Sequence, residues 1–253
     1  MVEEIFIKET RIKRCEELMS PEIKELFNLP LYKKIRKSQE IIKESLEKYP
    51  IVGLGFSGGT DSLVLLHLAL PIIQKNLPII FVNTQHQFPE TYEFIEKTIK
   101  KFGLENFHKV KAEENKFESF KEEFGLKTPE FTEACCEYHK INPLKKAIKD
   151  LKLDALLIAI RGVEHEERAK ESIFSPREGH CRVHPLLFWT QEEILEYVKM
   201  FEIETNPIYM QGYSSLGCVP CTEKNIDPNA HERAGRGLSR EKIMERLREL
   251  GYT

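Results

Sequence analysis

Four short apolar runs interrupt an otherwise charged chain. Ile51–Phe56 reads IVGLGF, Pro78–Val82 reads PIIFV, Ala155–Ile160 reads ALLIAI, and Val183–Leu187 is a shorter fourth run. Continuous apolar runs of this length predict parallel strands covered on both faces. Between them, Ser62–Gln74, Glu90–Phe102, Pro143–Leu151 and Gln191–Phe201 carry helical patterns. The alternation predicts an α/β fold, a doubly wound, mostly parallel sheet flanked by helices, with ligands beyond the carboxyl ends of the strands. Residues 1–48 are polar, and Ile41, Ile42 and Leu46 recur at helical spacing, so this segment reads as a helical N-terminal extension. The core then runs over 49–205. A last segment, 206–253, has turns first and a charged helix from Ser239.

Composition narrows the classes. The chain has 253 residues, 41% of them apolar, which is enough for a substantial core. A net charge of −3 gives no global signal for nucleic acid. The charged N-terminus, MVEEIFIKETRIKR, lacks the apolar stretch of a secretory signal. No run approaches the roughly 18 apolar residues of a membrane span. Of six cysteines, four fall in two tight pairs. That pattern fits a reducing cytoplasm and a metal site better than a disulfide framework.

The first strand runs into FSGGTDS, residues 56–62, and then a helix. Gly58 and Gly59 let the backbone approach a ligand, and the helix start leaves amides free for phosphate. Ser57, Thr60 and Ser62 add hydroxyls. Asp61 would repel a phosphate directly, so it either orders the loop or holds Mg²⁺ shared with the phosphates. The loop is neither a Walker motif nor the GxGxxG of a dinucleotide fold.

EACCEYHK, residues 133–140, sets two cysteines side by side. Neighbours on a helix point about 100° apart, which suits a disulfide poorly. A single zinc takes cysteines at wider spacing. SLGCVPCTEK supplies Cys218 and Cys221 much further on. Adjacent cysteines can bind two different irons of a cube, so Cys135, Cys136, Cys218 and Cys221 point to a [4Fe–4S] cluster, with structural zinc the runner-up.

These motifs carry a resemblance. SGGTDS resembles the PP-loop of the ATP pyrophosphatases, the adenine nucleotide alpha hydrolase superfamily, which holds ATP phosphates while the α–β bond is cleaved. ACCEYHKINPLKKAI with QGYSSLGCVPCT resembles the iron–sulfur adenylyl-sulfate and phosphoadenylyl-sulfate (PAPS) reductases, members of that superfamily. HERAGRG, residues 231–237, resembles their arginine-rich element, with Gly237 where the family has Trp. The resemblance implies that Lys140 stands next to the cluster and that Arg233 and Arg236 contact an anionic substrate. GVEHEERAKESIFSPRE (162–178), FVNTQHQFPETYEF (81–94) and the closing GYT resemble the small subunit of bacterial sulfate adenylyltransferase, which uses ATP without a cluster. The chain is thus identified as a PAPS reductase family member with mixed features. The matched stretch covers roughly residues 38–253.

The reductases attack sulfur with a cysteine in a C-terminal Glu-Cys-Gly type tail, whereas these residues close RLRELGYT. Cys15 and Cys181 are the remaining thiols. Cys15, flanked by Lys13 and Arg14, is expected to be exposed with a lowered pKa; Cys181 is expected at a packed strand. An intact phosphate loop favours Mg–ATP as the nucleotide. The expected activity is cleavage at the α-phosphate to adenylylate sulfate or a group to be thiolated, with release of pyrophosphate. Ser57 to Ser62 would cradle phosphates, and Arg161 and Arg168 would neutralise charge at the α-phosphate, beside Lys140. One alternative is a sulfonucleotide reductase making sulfite with a displaced cysteine. Another is a non-catalytic, cluster-bearing nucleotide-binding subunit. A partner subunit, a sulfur donor or thioredoxin-like protein, a homodimer and a cytoplasmic location complete the expectations.

Overall fold

The order of the strands follows from where the apolar runs fall. The computed structural model describes the backbone of residues 2–74, 76–225, 233, 235–236 and 238–251, and side chains from residue 10 onward except at 238 and 240. Helices α1 (Val2–Leu18), α2 (Pro21–Phe27) and α3 (Leu31–Lys48) come first. Then β1 (Val52–Gly55) leads to α4 (Thr60–Ala69), and β2 (Ile79–Val82) to α5 (Pro89–Phe102). β3 (Phe107–Val110) leads to α6 (Phe117–Phe124) and α7 (Pro129–Cys136). A π-helical turn, Glu137–Ile141, joins α7 to α8 (Asn142–Asp150). β4 (Ala155–Leu157), α9 (Glu166–Ala169), β5 (Phe174–Arg177), β6 (His180–Val183) and α10 (Gln191–Met200) follow. Beyond two 3₁₀ turns, α11 (Leu238–Lys242) and α12 (Met244–Glu249) close the described chain.

The six strands are ordered β3-β2-β1-β4-β6-β5, parallel throughout except for the antiparallel β5–β6 pair. The chain moves outward from β1 through β2 to β3 and then crosses to β4 on the other side of β1. The loops after β1 and β4 therefore diverge at the topological switch point, where such sheets bind ligands. Leu54, Leu156 and Leu157 are fully buried there. Helix α4 is apolar nearly all round, with Leu63 to Leu66, Leu68 and Ala69 buried, because it is pressed between the sheet and helices α3 and α10. On α5, Phe94 and Ile95 face inward; Pro89 starts the helix and left-handed Gly103 stops it.

The N-terminal helices share this core. Cys15, Met19, Ile23, Ile41 and Ile42 belong to the same buried cluster as the sheet. Ser38 Oγ donates to Pro185 O at 2.7 Å and accepts from Trp189 Nε1 at 2.9 Å, all out of water.

Three strands differ from expectation. The fourth run forms strand only up to Val183: Cys181, Arg182 and Val183 pair with Ala155, Leu156 and Leu157. After it, Leu187 N–H bonds His184 O and Trp189 N–H bonds Leu186 O, so Leu186–Trp189 are buried as turns. β3 and β5 have no apolar run. Their sequences, FHKV and FSPR, are those of edge strands with one wet side. Among the described residues, no helix is long and apolar enough to cross a membrane.

Candidate functional site

The carboxyl ends of β1, β2 and β4 open into a cavity of about 280 Å³. The loop after β1 forms its floor. Gly58 takes φ +79°, where a side chain would be strained and would press on Ile95 and Thr91. Ser62 Oγ donates to Gly59 O at 2.8 Å and lies 3.1 Å from Ser57 Oγ. Asn206 braces the outer side, its Nδ2 donating to Gly58 O and Thr91 Oγ1. Thr60 N–H donates to the Tyr209 hydroxyl at 3.2 Å. Burial raises the Tyr209 pKa, so that hydroxyl stays a neutral phenol.

Charge around the floor is organised by carboxylates. Asp61 lines the cavity and accepts from Arg161 Nε at 2.6 Å. Arg161 is 1% exposed, also donates to Gln191 Oε1 at 2.7 Å, and does not line the cavity. It therefore stands behind Asp61, and where direct contact of Arg161 with the α-phosphate was expected, Asp61 is the member of the pair that lines the cavity. Arg168, Arg233 and Arg236 do line the cavity. Glu164 gathers the first two: its carboxylate accepts from Arg161 N–H at 2.9 Å, pairs with Arg168, and lies 3.9 Å from Arg233. Burial alone would raise the Glu164 pKa, but Arg168, Arg161 and Arg233 outweigh it and hold it at about 2. Arg236 reaches Leu216 O at 2.6 Å across Gly217, where any Cβ would collide with its guanidinium.

The same cavity carries the thiols. Cys135 and Cys136 end α7 where it turns π-helical, a transition that redirects successive side chains. Cys218 forms an isolated antiparallel bridge with Gln87, and Val219 N–H donates to His86 O at 2.7 Å. Cys218 Sγ sits 3.1 Å from Thr84 Oγ1. All four cysteines and Lys140 line the same cavity as the phosphate loop. Among the described residues, no three His, Cys, Asp or Glu side chains converge as a single-ion site.

The other two thiols are elsewhere. Cys181 is 6% exposed on β6, its thiol donating to Arg182 O at 3.4 Å. Cys15 corrects its expectation: it is fully buried, and burial pushes its pKa up to about 11 despite Arg11 and Arg14. The remainder of HERAGRG, His231, Glu232, Ala234 and Gly237, and the final Tyr252–Thr253, lie outside the described residues.

Several polar groups of the cavity escaped the motif search. Ser214 Oγ, Ser215 Oγ and both ring nitrogens of His139 are buried without a hydrogen-bond partner among the described residues. Burial, with nearby His86, lowers the His139 pKa to about 4, so its ring is neutral. Buried polar groups are normally satisfied, so these groups, all lining one cavity, would take partners from a ligand or water there.

Known proteins bear on this site. The model of the phosphoadenosine phosphosulfate reductase domain matches residues 51–224. An adenosine 5'-phosphosulfate reductase of Mesorhizobium japonicum is 30% identical over 202 residues, covering 79% of this chain and 78% of its own. One from Shouchella clausii is 33% identical over 185 residues, covering 71% and 74%. The crystal structure of phosphoadenylyl-sulfate reductase from Candida auris, a phosphate complex, superposes with a TM-score of 0.58 at 23% identity, over 79% of this chain and 96% of that one.

Proposed function

Since this chain belongs to the phosphoadenosine phosphosulfate reductase domain family, an enzyme family of sulfur metabolism, we propose that it reduces an adenylated sulfate such as adenylyl sulfate. The observation that carries the reading is the shared cavity: phosphate loop, Arg168, Arg233, Arg236, Lys140 and four thiols around one space. The loop amides and Ser57 and Ser62 would take the α-phosphate, and the cationic side chains would take the sulfuryl oxygens. Asp61, the carboxylate that would hold the metal of a Mg–polyphosphate, is already paired with Arg161.

In this reading a thiolate attacks sulfur, the bond from sulfur to the phosphate oxygen breaks, and AMP leaves carrying the electron pair. A second thiol then releases sulfite and forms a disulfide. Cys15 and Cys181 are buried away from the cavity, so neither is the attacking thiol. The thiols come from an external dithiol.

The residues present fit a [4Fe–4S] cluster. All four thiols line one cavity, and a four-thiolate donor set suits such a cluster. Cys135, Cys136, Cys218 and Cys221 would hold it. When bound, it would set a polarisable charged body beside the substrate. Lys140 lines the same cavity and would meet the substrate anion there. Cys136→Ser should remove most of the iron from anaerobically purified protein and Cys15→Ser none; equal iron in both variants would refute this ligand set.

A second reading, cleavage of ATP at the α-phosphate to adenylylate an acceptor, rests on the complete SGGTDS loop. Anaerobic calorimetry separates the two. We expect adenylyl sulfate to bind more tightly than Mg–ATP, and dithiothreitol to release sulfite from it. Tighter Mg–ATP binding with pyrophosphate release would establish the second reading instead.

A further inference from the structure

Helix α1 precedes the stretch matched by the family, yet it reaches the site. It packs on the 3₁₀ turn Gly162–Glu164 and on α9. The fit there is close: a Cβ on Gly162 would lie 2.7 Å from Met19 Cε and 3.1 Å from Leu187 O. Cys15 on α1 and Met19 just after it anchor this part of the chain in the core.

From this platform Arg11 extends toward the carboxylates behind the cavity. Its Nη2 donates to the backbone carbonyl of Glu164 at 2.9 Å and to Glu241 Oε2 at 3.2 Å. The other oxygen of Glu241 accepts from Arg233 twice, from Nη2 at 2.7 Å and Nε at 3.1 Å. Arg233 is 6% exposed and lines the cavity. One carboxylate is thus held on one side by the N-terminal helix and on the other holds a site arginine. His165 Nε2 approaches the same carboxylate at 3.9 Å, and Glu164 lies 3.9 Å from Arg233.

We propose that Arg11 is a positioning residue for anion binding, acting through Glu241 to fix the guanidinium of Arg233 at the cavity. The inference rests on the reading of the cavity as a nucleotide site. A long side chain such as arginine loses substantial rotamer entropy when it grips a ligand, and prior fixing removes that cost from binding. Glu241 is a suitable intermediary. Its two oxygens face opposite ways, so it can be clamped and still direct the fork of Arg233. Glu241 lies on α11, after the stretch matched by the family, so both ends of the chain meet behind Arg233.

The test uses the full chain and adenylyl sulfate, with binding measured by anaerobic calorimetry. Arg11→Ala should weaken binding roughly five- to tenfold, Arg11→Lys should recover part of the loss, and Glu241→Gln should reproduce it. In an Arg233→Ala background, Arg11→Ala should add nothing, since the path it acts through is gone. A purely structural role would instead lower the melting temperature and leave affinity intact in the folded fraction. Unchanged affinity in Arg11→Ala, or full additivity with Arg233→Ala, overturns the relay while leaving the site reading standing. If Arg11→Ala does not fold, Glu241→Gln decides by the same criteria. Wild-type protein that binds neither adenylyl sulfate nor Mg–ATP overturns both the relay and the site reading.

Discussion

Two buried glutamates, only seven residues apart, sit among arginines in this molecule, and they do opposite things. Glu164 meets Arg161, Arg168 and Arg233, and it lines the cavity together with Arg168 and Arg233. Glu171 accepts from Ser175 Oγ at 2.6 Å, Arg177 Nη2 at 2.8 Å and Arg248 Nε at 2.7 Å, and none of these residues lines the cavity. Both carboxyls are held at about 2 against the pull of burial. A depressed pKa is therefore no mark of function here. What separates the two is where the arginines lie: around Glu171 they tie α12 to β5 and none lines the cavity, whereas two of those around Glu164, Arg168 and Arg233, line it.

Removing each centre should split stability from affinity. The largest effect is expected for Glu171→Ala, which removes the buried carboxylate that Arg177, Arg248 and Ser175 share. A loss of about 2–3 kcal/mol follows, since the arginines are partly exposed and Arg248 keeps Glu167 nearby. Urea unfolding measures it, and the nucleotide affinity of the folded fraction should stay within about twofold. A change confined to affinity would place Glu171 in the site and erase the contrast.

A smaller loss in free energy, of the opposite kind, is expected for Arg168→Ala. Adenylyl sulfate should bind at least about tenfold more weakly, as for a lost charge-assisted hydrogen bond, with a smaller shift in the urea midpoint than Glu171→Ala gives. Loss of stability without loss of affinity would make this cluster as structural as the other.

The mildest expected effect is in acid. Both glutamates are depressed from an ordinary value of 4.5 to about 2 in the folded protein. Their stabilisation is fully present above about pH 4.5 and is lost as the pH falls toward 2. Glu171→Ala should flatten that acid limb of the stability curve. Glu164→Gln should flatten it as well and should also disturb nucleotide binding, which Glu171→Ala leaves alone. An unchanged acid limb in Glu171→Ala would mean that its carboxyl is not ion-paired in solution.

Much of the sheet was legible. β1, β2 and β4 announced themselves because strands buried on both faces need unbroken apolar runs. β3 and β5 did not, because an edge strand keeps a polar face, and FHKV or FSPR resembles loop as much as strand. The phosphate loop and the four cysteines were visible because their chemistry demands fixed local spacing. Glu164, Glu241 and Tyr209 were not, since each acts on a residue far away in the chain: Tyr209 on Thr60, Glu241 on Arg11, Glu164 on Arg233. Cys15 shows the same limit from the other direction. Its sequence neighbours, Lys13 and Arg14, suggested a reactive thiolate, but the fold removed water from the sulfur, and desolvation outweighed the adjacent charges.

The isolated bridge between Gln87 and Cys218 has a consequence for how the cavity breathes. The Ser214–Cys221 wall is joined to the loop after β2 through that bridge and the Val219 N–H to His86 O bond, while the central strands β1 and β4 are laddered to each other. Local opening free energies scale with the buried contacts and hydrogen bonds broken. The wall should therefore swing out many times for each time the sheet unfolds. In hydrogen exchange, the amide of Val219 should exchange far sooner than those of Leu54 or Leu156, and the cavity would refresh its contents while the central strands stay closed.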